Sequence, residues 1–90
     1  MCRNIRTLHN FAPPATEAEV RASALQFVRK LSGTARPAKA NEAAFNRAVD
    51  EVTHAAQHLL EALVTHAPPR DRAKEAAKAK ARSAKRFAPA

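Results

Sequence analysis

The stretch NEAAFNRAVDEVTHAAQHLLEAL, residues 41–63, decides the fold. Its apolar positions are Phe45, Ala48, Val49, Val52, Ala56, Leu59, Leu60 and Leu63. They recur in steps of three and four, the period of an α-helix with one apolar stripe. Asn41 is placed to cap that helix, and Glu42 suits the positive first turn. The spacing predicts a helix that starts near Pro37 to Asn41 and is ended by Pro68-Pro69. At about two dozen residues it would span about 36 Å.

A second helix is predicted upstream, over 17–32. Thr16 followed three residues later by Glu19 has the form of a capping box. Val20, Ala24, Phe27, Val28 and Leu31 then share one face, and Leu25 widens it. Gly33, the single glycine, stands where a left-handed C-cap is needed. GTARPAKAN, residues 33–41, is left as a short connector between the two helices.

The flanks read differently. Residues 1–15 hold Ile5, Leu8 and Phe11 before Pro13-Pro14. They predict an irregular or partly extended arm, anchored by those side chains and without a strand pattern. Downstream, Asp71 opens an alanine-rich segment of high helix propensity, with Lys85 and Arg86 suited to its end. Ala73, Ala76, Ala77, Ala84 and Phe87 fall on one side, interrupted by Lys80. That side buries little area, so its docking should be weak.

The fold class is therefore all-α: an antiparallel helix pair with an N-terminal arm and a basic C-terminal helix. The organisation is arm (1–15), helical hairpin core (16–67) and basic Ala-rich helix or tail (68–90). No internal repeat is present. Two long apolar stripes exceed what one small third helix can cover. A helical-bundle homodimer is expected to cover them.

Length and composition agree. Ninety residues make one small domain with a modest core. The single cysteine, Cys2, excludes an internal disulfide and suits a reducing compartment. No Cys-x-x-Cys pair suggests structural zinc, and no cofactor is expected. No apolar run approaches the ~20 residues of a membrane helix. The opening MCRNIRTLHN lacks the apolar region of a signal peptide. A soluble, cytoplasmic protein without membrane contact is expected.

The formal charge of +8 is unevenly spread. Met1 to Pro69 carries eight Lys and Arg against six Asp and Glu; Arg70 to Ala90 carries eight against two. The tail thus holds most of the excess, which suits an acidic partner such as nucleic acid. The plainer alternative is a solvated helix that maintains solubility.

Two cation clusters are candidate nucleic-acid contacts. The first is the elbow, Arg29, Lys30, Arg36 and Lys39, around the start of the second helix. Ser32, Thr34 and Asn41 could add hydrogen bonds to a phosphate there. No Walker-type glycine pattern accompanies it, and an ordinary solvated turn fits as well. The second is the tail stripe, Lys74, Lys78, Arg82, Lys85 and Arg86, gathered on one side of a helix. Such a stripe can track a phosphate backbone. Without interleaved aromatics for base stacking, binding would be nearly sequence-blind.

Two further features are weaker. His54 and His58 stand four apart, a chelating spacing, but the His-Glu-x-x-His form is absent and their phase faces solvent. Removal of Met1 would give Cys2 a free amine beside its thiol, with Arg3 and Arg6 favouring thiolate. Simple packing under the arm is the plainer reading of Cys2. His9 is only a candidate base, and no nucleophile-elbow context or buried carboxylate pair occurs.

The segments MCRNIRTLHNF, PPATEAEVRA, FVRKLSG, KANEAAFNRAVDEV and APPRDR together resemble a family of small bacterial proteins classed as a domain of unknown function. The opening MCRNI is the most recognisable mark. The resemblance implies a bacterial protein of that family and brings no activity, substrate or site residue with it.

The residues favour a small, cytoplasmic, non-enzymatic helical protein that self-associates and contacts DNA or RNA phosphates through elbow and tail. A protein-interaction or regulatory module without nucleic-acid binding is the alternative. A small metal- or thiol-dependent enzyme using Cys2 is the third reading.

Overall fold

A computed structural model describes residues 5–86. The elements in chain order are β1 (Phe11–Ala12), α1 (Glu17–Ser32), a 3₁₀ turn (Lys39–Asn41), α2 (Glu42–Ala62), β2 (Arg70–Asp71) and α3 (Arg72–Arg86).

Helix α1 starts and stops where its sequence says it should. The Glu19 backbone N–H donates to Thr16 Oγ1 at 3.2 Å, and the Thr16 N–H donates to Glu19 Oε1 at 3.1 Å. This closes the capping box and satisfies N–H groups that the helix leaves unpaired. At the other end Gly33 takes φ +74° and donates its N–H to the Arg29 carbonyl at 2.9 Å.

Helix α2 starts where expected, at Glu42 after Asn41, but differs in its cap and its end. Asn41 makes no side-chain cap, because it closes the 3₁₀ turn with helical backbone angles (φ −107°, ψ −1°). The helix also stops at Ala62, before Pro68-Pro69, with Leu63 already extended (ψ 132°). β-Branched Val64 and Thr65 lose side-chain freedom in a helix. Thr65 Oγ1 instead accepts the Ala67 N–H at 3.1 Å in a local turn. The chain between α2 and β2 is thereby free to return to the arm.

The two helices pack against each other in antiparallel fashion. Val28 of α1 lies against Phe45 and Val49 near the start of α2. Arg21, a turn or two earlier, donates to Asp50 Oδ1 at 2.7 Å, further along α2. The buried residues form one row on each helix, spaced by four: Val20, Ala24 and Val28 against Phe45, Val49 and Thr53. This is the spacing of ridge-into-groove packing. Thr53 is buried outside the predicted apolar set, its hydroxyl donating to the Val49 carbonyl at 2.6 Å. That bond satisfies the polar group and lets it sit in the seam.

A two-residue parallel pairing, Phe11 with Arg70 and Ala12 with Asp71, joins the arm to the chain after α2. No strand was legible there. Asn10 makes the pairing with a left-handed backbone (φ +62°), which Asn tolerates better than most residues. Its carbonyl accepts the Arg70 N–H at 2.8 Å, and its Nδ2 donates to the Pro68 carbonyl at 3.2 Å. Leu8 and Phe11 are half-buried, while Ile5 stays exposed.

Asp71 caps α3, its Oδ1 accepting the Lys74 N–H at 2.9 Å. From that root α3 has no extensive packing on α1 or α2, and one side of it faces the arm across a cleft. The molecule measures 46 × 40 × 15 Å, with a radius of gyration of 16.1 Å. A compact chain of this length would have a radius of about 12 Å. A thickness of 15 Å is little more than one helix. Among the described residues the fold is a single layer, and nothing forms a second layer over one side of its hairpin.

Candidate nucleic-acid interface and the cleft at its root

The tail stripe lies on the free part of the molecule. Lys74, Lys78, Arg82 and Lys85 are all exposed on α3, and Arg86 is the helix's last residue. Steps of four and three keep the first four within about a quarter-turn of one another. Lys78 also meets Glu75 at 3.6 Å, an exposed pair one turn apart. Such a pair is weak and leaves the lysine available to a stronger anion.

The elbow is at the other end of the hairpin. Arg29 turns inward, its Nε donating to the Ala35 carbonyl at 3.2 Å. It helps shape the turn, as does Thr34, whose hydroxyl donates to the Arg36 carbonyl at 2.6 Å. Lys30, Arg36 and Lys39 are exposed. Arg29 is ten residues along α1 from Glu19, about 15 Å of helix rise, and α3 is rooted beside Glu19. The elbow's Arg29 is thus about three turns of α1 from the root of α3.

The structure brings a different set together at the root of α3. Arg72 Nη2 donates to Glu19 Oε1 at 2.7 Å, and Arg72 Nε donates to the Pro13 carbonyl at 2.7 Å. Arg6 Nη2 reaches the other oxygen of Glu19 at 3.3 Å. One carboxylate thus ties together arm, α1 and α3. The Arg72 bond, followed by the Thr16 N–H, holds the Glu19 carboxyl at about 2, against an ordinary 4.5; partial burial opposes the shift.

A cleft of about 520 Å³ opens beside this junction. Arg6, Arg70, Arg72 and Arg82 line it with Glu19 and Glu75. Leu8 and Phe11 supply an apolar wall, and the Arg70 guanidinium lies 5.7 Å from the centre of the Phe11 ring. Sequence reading missed this site. Arg6, Arg70 and Glu19 are 13 to 64 positions apart, and only the arm pairing brings them together. The one visible signal was the RDR triplet after Pro68-Pro69, which concentrates two arginines at a turn.

A second opening, of about 670 Å³, runs along the uncovered side of the hairpin. Phe27 and Leu31 of α1 and Ala48 and Val52 of α2 line it. Phe27 is 44 % exposed and Leu31 73 %. The wide α2 stripe explains this opening: α1 covers the Phe45–Val49–Thr53 row and leaves the neighbouring one open.

His54 and His58 are exposed, with rings nearly parallel and 6.4 Å apart. Among the described residues no group of three or more His, Cys, Asp or Glu could hold a metal ion. Cys2 and Arg3, on which the thiol reading rests, lie outside the described residues, as does Phe87. Among the described residues no helix is long and apolar enough to cross a membrane.

Residues 1–78 match the family described as Uncharacterized conserved protein (DUF2277). The chain belongs to that family. The DUF2277 match takes in the arm, the hairpin and the first half of α3, and ends at Lys78. Arg6, Glu19, Arg70 and Arg72 are inside it, whereas Arg82, Lys85 and Arg86 lie beyond. No curated protein and no solved structure matches this DUF2277 chain.

Proposed function

We propose that the protein is a non-enzymatic, cytoplasmic nucleic-acid-binding protein that grips the phosphate backbone through α3. The observation that carries this reading is the exposed row Lys74, Lys78, Arg82 and Lys85 on a helix without extensive packing on the hairpin. A helix wrapped against its own core would offer only its rim to a duplex. The elbow residues Lys30, Arg36 and Lys39 serve as a secondary contact at the far end. Two copies join through the open side of the hairpin, where a second layer would cover Phe27, Leu31 and Val52.

A salt titration by fluorescence anisotropy, with duplex DNA and structured RNA, tests the grip. Four neutralised phosphates give a slope of log affinity on log salt of about −3.6 on duplex DNA. Changing Lys74, Lys78, Arg82 and Lys85 together to Gln should flatten that slope while helix content is kept. Arg36→Gln with Lys39→Gln should change it by less than that set. Absence of binding to either nucleic acid at low salt would remove this reading. The open apolar groove would then favour the alternative, a protein-interaction module.

A further inference from the structure

The cleft between arm and α3 shares only Arg82 with the α3 stripe and has a chemistry of its own. Four arginines face two glutamates across it, an excess of two positive charges. Both carboxylates have partners in the fold, although that of Glu75 is a weak, exposed one. Glu19 is held by Arg72, Arg6 and the Thr16 N–H, and Glu75 meets Lys78. The arginines are not used up to the same degree. Arg82 is exposed and makes no hydrogen bond or ion pair among the described residues. Among the described residues the Arg70 guanidinium has only the Phe11 ring. Arg6, with its side chain 63 % exposed, spends one nitrogen on a 3.3 Å contact. Planar guanidinium groups with free donors, set on three separate segments, are suited to oxyanion recognition.

We propose that this cleft is a binding site for a small organic phosphate. A phosphate monoester carries close to two negative charges at neutral pH and three terminal oxygens. Its charge matches the excess in the cleft, and its oxygens match the three available guanidinium groups. A carboxylate has one charge and two oxygens and leaves one arginine unmet. The apolar wall of Leu8 and Phe11 takes the organic part, and the cleft's volume falls in the range of small-molecule sites. Arg72, fixed between Glu19 and Pro13, is a positioning residue that sets the angle of α3 and with it the place of Arg82. This proposal does not depend on nucleic-acid binding: a different probe tests it, and of its arginines only Arg82 is shared with the α3 row, Arg6 and Arg70 lying outside it.

The probe is phenyl phosphate, titrated at low salt into the full chain, with arginine Nε–Hε resonances followed by NMR. Saturable shifts at Arg6, Arg70 and Arg82 are expected, with inorganic phosphate and benzoate binding more weakly. Arg70→Gln and Arg82→Gln should each weaken binding on the order of tenfold, as loss of a charged hydrogen bond does. Arg47→Gln, which removes the same charge from an exposed position on α2, should leave it unchanged. Arg82 has no hydrogen-bond or ion-pair partner among the described residues, so its variant is expected to keep full helix content. The proposal is overturned if no saturable shift appears, if benzoate binds as tightly, or if Arg47→Gln weakens binding as much as Arg82→Gln.

Discussion

Replacing Leu59 by Ala separates a single-layer monomer from a two-layer dimer. Leu59 is 58 % exposed in the single chain. It stands seven residues beyond Val52, on the same side of α2 and in line with the open groove. Full burial of a leucine side chain is worth about 1.5–3 kcal/mol. With roughly two-fifths of that realised, truncation costs the monomer at most about 0.6–1.3 kcal/mol. If a second copy closes over the row, the same change empties a packed site and costs about 2–5 kcal/mol. Phe45→Ala is the reference: that ring packs with Val28 and Val49, so its loss costs about 3–5 kcal/mol in either case. Urea unfolding followed by circular dichroism, at two protein concentrations about a hundredfold apart, reads both numbers. The wild-type midpoint should rise with concentration, and Leu59→Ala should abolish that rise. Sedimentation should show the variant moving from dimer to monomer. A wild type that sediments as a monomer throughout, with Leu59→Ala costing no more than the monomer figure, refutes the second layer.

Other outcomes follow from the junction and the caps. The Glu19 carboxyl is held at about 2 against an ordinary 4.5, so its contribution is complete above the ordinary value and fades as pH falls from 4.5 toward 2. Acid unfolding of the wild type should show that loss, and Glu19→Gln should remove this part of the pH dependence; an unchanged profile would mean that Arg72 does not hold α3 through Glu19. Gly33→Ala meets no atom within 4 Å but must keep φ near +74°, so it should cost about 1–2 kcal/mol in thermal unfolding. A neutral effect there would show that the C-cap relaxes. Thr16→Ala removes one half of the capping box and should cost about 1 kcal/mol, read by the same melt.

The hairpin was legible because its signals are local. Thr16 with Glu19, the single Gly33 and the α2 stripe each act within one or two turns, and the helices formed where these residues placed them. What was not legible depends on partners far apart in the chain. Asn10 fixes the arm to Pro68 and Arg70, and no periodicity over 1–15 encodes that contact. Glu19 read as a helix cap alone, since its second partner, Arg72, is 53 residues away. The end of α2 was misplaced for a related reason. The prolines stop any helix, but the chain left it earlier, at Leu63, where the return to the arm begins. The tail stripe was legible from helical phase alone. That it would stand clear of the hairpin followed from its alanines, which bury too little surface to bind it down.

The extent of the family match divides the two proposals. The DUF2277 match ends at Lys78, inside α3. Arm, capping box, β1–β2 pairing and the Glu19–Arg72 junction all precede that point, together with three of the four cleft arginines. The outer half of the cation row does not. A helix needs several turns to hold a row of phosphates, whereas the cleft needs only the first turns of α3 and the arm across from them. A chain cut after Lys78 therefore keeps the Glu19 junction and Arg6, Arg70 and Arg72, but loses Arg82 and Lys85. On that chain the duplex salt slope should fall to about half, because two of four phosphate contacts are gone. Phenyl phosphate should still bind, weakened by the loss of Arg82 alone. Equal loss of both activities would place them on one surface and not two.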